Sequence, residues 1–498
     1  MFTSTNQQPP VCKLISFFTL LFACWNLTPC PGDVTVEQKE ENGRSVTVYR
    51  MEISPAAAPV PAFKHRFTVP PHLTVPGNAA THYLQSFGER SLDAPWQAAQ
   101  DKFGTDVVDW IGDIPISQLP LEKVREAAGL FDSYVKNHLQ RATRCRDCDW
   151  GMEEESLSGV EAIGYLFPSV QQTRSIARVL RLRTRLAIAE GRYDAAVEQI
   201  RMTYQLGRNV GQMKFLVANL VGIAEIGMAH KSVTDFIARK DSPNLYWALA
   251  ELPDPMVDLR ESTRLELSLS LRLIPELLNV ETAQHTESEW NQIYQNSVGK
   301  FVEGLQQIPG SSESHSNWLP LGWALASYSQ AKQRLIDASF EPSSIETMTP
   351  GQVLMIAAAR DYQICADEYE KGLYLPLPQG MTAVNSINQK MNTGKLGGGL
   401  GVALASTLLP ALEQVRVAQL RIERQRCALM TIEAIRMHLA ETGALPKTLD
   451  DIQAVPVPLN PFTNRPFEYR VQDSIAILNL PESDGASYGQ RFELRQAN

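Results

Sequence analysis

Two apolar stripes at helical spacing, broken by one glycine, constrain this chain more than any other feature. In the stretch Gln171 to Gly207, QQTRSIARVLRLRTRLAIAEGRYDAAVEQIRMTYQLG, apolar residues recur at Ile176, Val179, Leu180, Leu186 and Ala187, then at Ala196, Val197, Ile200 and Tyr204, with Gly191 between. A 3.6-residue period interrupted at a glycine predicts two antiparallel helices. Similar stripes follow. Met213, Leu216, Val217, Leu220, Ile223 and Met228 predict a long buried helix, and Val353, Ile356, Ala357, Tyr362, Ala366 and Tyr369 another between Pro350 and Tyr374. The fold class expected is mainly α, an irregular helical-hairpin or solenoid-like domain with a small C-terminal α+β unit.

The spacing of Ala189, Gly191, Tyr193 and Ala196 resembles the middle of a tetratricopeptide unit, where a short turn ends one helix and a small residue lets the next approach closely. The early tryptophan and closing proline of that repeat are absent. The resemblance therefore implies one degenerate helical pair and no regular array.

The N-terminus suggests where the chain goes. Leu14 to Trp25 follows Lys13 as an apolar run, long enough for the hydrophobic part of a signal peptide and short for a membrane-spanning helix. Leu21, Phe22, Ala23 and Cys24 resemble a bacterial lipoprotein cleavage and lipidation site. Export to the periplasm or cell envelope is expected, with membrane attachment through the N-terminus as an alternative to cleavage. The formal charge of −9, from 46 Lys plus Arg against 55 Asp plus Glu, argues against nucleic acid as a partner. The densest basic run, Arg174, Arg178, Arg181, Arg183 and Arg185, is spread around a helix and has no aromatic interleaving.

Taken in order, residues 1–29 read as the leader and 30–76 as a β hairpin followed by a Pro-rich connector. Val34, Val36, Val46 and Val48 flank the Glu41-Asn42-Gly43 turn, and the prolines between Ser54 and Pro76 exclude helix. Residues 77–375 read as the α-rich domain, 376–400 as a flexible linker around Gly397, Gly398, Gly399 and Gly401, and 401–498 as a C-terminal helix plus a small antiparallel sheet. In that sheet Phe467, Tyr469 and Val471 are expected to cover an apolar face.

No grouping of reactive residues matches a specific catalytic motif. Cys145 and Cys148 form a lone CxxC, for which a structural disulfide or unpaired thiols are expected ahead of redox or metal chemistry, because no second pair completes a four-ligand site, and export favours the disulfide. The HTESE run at His285, Glu287 and Glu289 lacks the i, i+4 histidines of a zinc hydrolase. Glu153, Glu154 and Glu155 point in different directions on a helix and read as a solvated helix start. The glycine cluster lacks phosphate-loop spacing. No cofactor and no metal is expected. Arg360, Asp361, Asp367 and Glu368 form the one set from which an acidic cleft could be built.

The segment from Ala428 to Pro481 resembles C-terminal segments of exported proteins of planctomycete-type bacteria, themselves similar to the periplasmic portion of type II secretion pseudopilins. Together with CDWG at Cys148–Gly151 and the Leu- and Arg-rich helices, it resembles an uncharacterised exported family of such bacteria. The resemblance implies an architecture and a bacterial setting, and it implies no reaction. The function expected is an exported noncatalytic interaction or envelope scaffold with a cell-envelope protein as partner, the alternative being an envelope hydrolase that uses the acidic cleft.

Overall fold

The computed structural model describes residues 33–497 apart from 42, 86–91, 113, 152–158, 273, 307–318, 394–398 and 482–487. The expected leader with Cys24, the following Cys30, the acidic run 153–155 and Gly397 and Gly398 lie outside the described residues. The principal strands and helices, in chain order, are β1 (Thr35–Glu41), β2 (Arg44–Ile53), β3 (Val75–Asn78), β4 (Cys145–Asp147), α1 (Gly159–Ala189), α2 (Tyr193–Gly211), α3 (Leu216–Ile237), α4 (Glu287–Gln306), α5 (Leu319–Asp337), α6 (Pro350–Leu373), α7 (Leu377–Asn392), α8 (Leu400–Thr442), β5 (Glu468–Gln472), β6 (Ile475–Pro481) and β7 (Tyr488–Gln496). The chain is predominantly helical with a small mixed sheet, as its periodicity predicts.

Two compact units divide it: Thr263–Glu413, and Leu27–Ser262 with Gln414–Asn498. The expected single α-rich domain over 77–375 is therefore cut near residue 262. In the larger unit, the hairpin of α1 and α2 turns at Gly191, whose φ of 70° suits a residue without Cβ, and α3 packs against both helices. A Cβ on Gly222 would lie 2.4 Å from the Gly207 carbonyl oxygen, so the α2 and α3 backbones touch where neither carries a side chain. The buried residues of α3 include polar ones, Glu225 and His230 among them.

The β hairpin expected at Glu41–Gly43 is present, with Thr35 opposite Arg50 and Glu41 opposite Arg44. It is not a separate appendage. β2 pairs in parallel with β7, so the sheet order is β1-β2-β7-β6-β5 and the hairpin completes the C-terminal sheet. The expected boundary between residues 30–76 and 401–498 is corrected accordingly: Tyr49, Met51 and Ile53 share a buried face with Leu478, Phe492 and Leu494, which neither segment could cover alone. Phe467 is buried beside this sheet, whereas Val471 faces solvent and covers no core.

In the smaller unit, the segment expected as a flexible linker is largely the helix α7. Pro376 and Pro378 sit at its start, where missing amide donors cost nothing, and Val384, Ile387 and Met391 form a buried stripe. The amphipathic spacing outweighs the polar, glycine-bearing composition. Gly380 packs close to Gly372, so α7 folds back tightly on α6.

Candidate functional site

The residues singled out from sequence are carried by α6. Thr349 caps this helix by accepting the Gln352 amide at 3.2 Å, and Pro350 occupies its first turn. Burial of Val353, Ile356, Ala357, Tyr362 and Tyr369 fixes its roll. Asp361 is thereby held under the surface, where the α5 residue Arg334 donates to it through two nitrogens, Nε at 3.0 Å and Nη2 at 2.8 Å. Burial raises the Asp361 carboxyl pKa and the Arg334 charge opposes the rise. Arg360 points elsewhere. It donates to Glu281 at 2.7 Å and 3.3 Å and lies over the Phe340 ring, 4.5 Å from the centroid.

These two ion pairs border a cleft of about 890 Å³. Its apolar lining includes Leu271, Leu278, Leu335 and Ile364, and of these Leu278 and Ile364 remain 52% and 49% exposed. Asp367 and Glu368 are not part of it. Asp367 accepts from Gln363 at 2.5 Å and Glu368 pairs with Lys371 at 2.7 Å. Seven residues along a helix return to the same face about two turns away, roughly 10 Å, so Asp361 and Glu368 cannot share a proton. The four residues of the expected acidic cleft do not converge. Both Asp361 oxygens accept from one guanidinium, so the carboxylate is held in a two-point ion pair. Cys365, one turn further on, is buried and its thiol is pushed up to about 12, so it is no nucleophile at neutral pH. The cleft offers apolar contact through Leu278 and Ile364 and polar contact through its two ion pairs.

Cys145 and Cys148 are both free thiols, which corrects the expected disulfide. Cys145 begins the extended strand β4, and three extended residues span roughly 10 Å, beyond the Cα separation a disulfide spans. Burial pushes the Cys148 thiol up to about 12. The HTESE run is a helix start: Glu289 accepts from the Thr286 amide at 2.6 Å, and His285 stands edge-on to Trp290. Among the described residues no group of three or more His, Cys, Asp or Glu could hold a metal ion.

Sequence reasoning missed a buried polar array on α8. Glu423 with Arg426, and Glu433 with Arg436, form two ExxR pairs ten residues apart, a repeat that is visible in the sequence. Arg436 donates to the Ser54 carbonyl at 3.0 Å and the Ser242 carbonyl at 2.7 Å, while Glu433 accepts the Leu245 amide at 3.0 Å. Glu423 accepts the Met256 amide at 2.7 Å, and Arg426 donates to the Leu252 carbonyl at 3.1 Å. These charges satisfy peptide groups in irregular segments that have no ladder of their own. They tie those segments to α8. Among the described residues α8 is the one helix long and apolar enough to cross a membrane, and 60% of its apolar window is buried inside the protein.

Set against protein-family models, curated proteins and solved structures, the chain matches none.

Proposed function

We propose that the protein is an exported, noncatalytic interaction scaffold of the bacterial cell envelope, with the cleft of the smaller unit as its recognition surface. The observation that carries this reading is the state of the cleft. Every acid on or near it named from sequence already has a partner, while Leu278 and Ile364 stand half exposed between the two ion pairs. Paired acids are poor catalysts, and unfilled apolar contacts at the rim of a preformed cleft favour a ligand side chain. The signal-like run at Leu14–Trp25 supports the envelope location. Tetratricopeptide-like pairing in the larger unit and the pseudopilin-like C-terminal segment fit an assembly role.

Two experiments test the reading. Fractionation of the native host should place the mature protein outside the cytoplasm. Envelope extract passed over the immobilised protein should yield a partner that is lost with Ile364→Asp and kept with Val471→Asp, a change of the same chemistry on β5. Turnover of an envelope substrate, abolished by Asp361→Asn in a folded chain, would replace the scaffold reading with the hydrolase one.

A further inference from the structure

The stretch from Ser54 to Phe63, SPAAAPVPAF, carries no charge, and the residues that follow it are Lys64, His65 and Arg66. An uncharged Pro-rich segment of this kind reads in sequence as a connector. In the structure it is an anchored loop of the larger unit with an apolar crest. At its entry, Arg436 donates to the Ser54 carbonyl at 3.0 Å, the Ala56 amide donates to the Arg436 carbonyl at 3.1 Å, and Asn244 donates to the Ala56 carbonyl at 3.3 Å. At its exit, Glu251 accepts the Phe67 and Thr68 amides at 2.6 Å and 2.9 Å and pairs with Arg66 at 2.8 Å. The Lys64 amide closes onto the Pro61 carbonyl at 2.9 Å. Between these ties Val60 is 89% exposed and Phe63 is 42% exposed.

Such a crest costs transfer free energy in water, and no core needs it there. Its surroundings indicate what it meets. Phe63 is flanked by the half-buried Trp247, ring centroids 6.1 Å apart, and by the Arg66 guanidinium 4.3 Å from its own centroid. Aromatic rings with cations beside them, around an aliphatic tip, are the composition that settles at the headgroup level of a bilayer. Lys64 and Lys240 are exposed and, among the described residues, lie within ion-pair distance of no acid, which leaves both ammonium groups for lipid phosphate. Pro55, Pro59 and Pro61 bring no amide donors into an apolar medium. Because the loop is tied at both ends, little conformational entropy is lost on contact.

Asp33, where the chain enters the described structure, is bound by the Ser117 amide at 3.1 Å and lies 3.9 Å from Arg239. Two residues beyond Arg239, Asp241 shares a hollow of about 320 Å³ with Val60 and Lys64. Asp241, next in sequence to Lys240, therefore lies beside the loop.

We propose that the loop Pro55–Phe63, with Trp247, Lys64 and Lys240, is a shallow membrane-contact wedge that seats the larger unit on an anionic bilayer surface. The inference rests on the envelope location proposed above and not on the cleft, so loss of cleft partners leaves it standing. The test uses the full chain with an environment-sensitive fluorescent amino acid at position 60 or, as a control in the same unit, at position 471, each an exposed site. With phosphatidylglycerol vesicles, the probe at 60 should shift to the blue and be quenched by shallow nitroxide lipids, while the probe at 471 stays aqueous. Phe63→Asp, or Lys64→Glu with Lys240→Glu, should weaken the quenching by about tenfold, since each change removes apolar area or phosphate attraction. Equal quenching at 60 on purely phosphatidylcholine vesicles would overturn the anionic preference. A probe at 60 that stays aqueous while the protein floats with the vesicles would overturn the wedge itself, and fractionation tests the envelope location separately.

Discussion

Glu433 and Arg436 stand one turn apart on α8 with neither side chain exposed, and their 2.9 Å ion pair is tied to three peptide groups, at Ser54, Ser242 and Leu245. The pair thus joins the Pro-rich loop and the turn before the helix Tyr246–Ala250 to the long C-terminal helix. Removing one partner leaves a buried charge, which costs more than losing both. Arg436→Met should destabilise the larger unit by about 3–5 kcal/mol in urea unfolding. Arg436→Met with Glu433→Gln should cost less than the single change. A single variant as stable as the parent would show that the pair does not clamp these segments.

The stability profile against pH should have two opposed arms with separate owners. Burial raises Glu225 to about 8 from an ordinary value of 4.5, outweighing Thr173 and Arg174 beside it. Between those values the folded state holds a proton that the unfolded chain releases, so stability falls as pH rises, by up to about 1.4 kcal/mol per unit. His230 has the opposite sign. Burial, with Arg426 adding to it, lowers its pKa to about 3 from 6.5, so this group loses stability as pH falls through that window. Glu225→Gln should make the first arm shallower, the remainder belonging to Glu423, which burial raises to about 7, and His230→Phe should reduce the second, read by thermal unfolding at a series of pH values.

Close backbone approach predicts a third result. A methyl group on Gly222 would meet the Gly207 carbonyl at 2.4 Å and the Gly211 amide at 2.6 Å. Backbone cannot rotate aside as a side chain can. Gly222→Ala should therefore cost about 2–3 kcal/mol through overpacking, despite the better helix propensity of alanine. Gly227→Ala, with open space at the same test, should be neutral or stabilising.

Phe467 and Val471 make a matched pair in the C-terminal sheet region. Phe467 is buried, and Phe467→Ala should cost about 3–5 kcal/mol by lost burial and cavity formation. Val471 is exposed on β5, and Val471→Ala should stay within about 0.5 kcal/mol. Hydrogen exchange across β5 and β6 reads the same difference locally.

Helices were legible because their burial is periodic: the hairpin at Gly191, the stripe of α3 and the run of α6 lie where the spacing puts them. The parallel pairing of β2 with β7 was not, since strands more than four hundred residues apart share no local pattern. α7 was hidden by composition, its polar residues, Pro378 and Gly380 masking three buried positions at helical intervals. At the cleft, Arg360 and Asp361 were named from sequence but their partners were not. Glu281 and Arg334 reach them only through tertiary packing, and adjacent helical positions diverge by about 100°. The ExxR pairs of α8 were overlooked because charges on a long helix ordinarily face water.

The cleft separates binding from stability. Ile364 is half exposed and lies on the cleft wall, so Ile364→Asp removes an apolar contact for a partner at little cost to the fold. Asp361 is buried against Arg334, so Asp361→Asn weakens a two-point charged hydrogen bond inside the protein and leaves the cleft surface nearly unchanged. If the cleft is a recognition surface, Ile364→Asp should lower partner affinity at least tenfold with its unfolding midpoint held, whereas Asp361→Asn should lower the midpoint and keep most of the affinity. Calorimetric titration with the captured partner, beside thermal unfolding of both variants, decides the matter. A reversed pattern, with affinity lost in Asp361→Asn and retained in Ile364→Asp, would place the functional contact at the carboxylate and count against apolar docking.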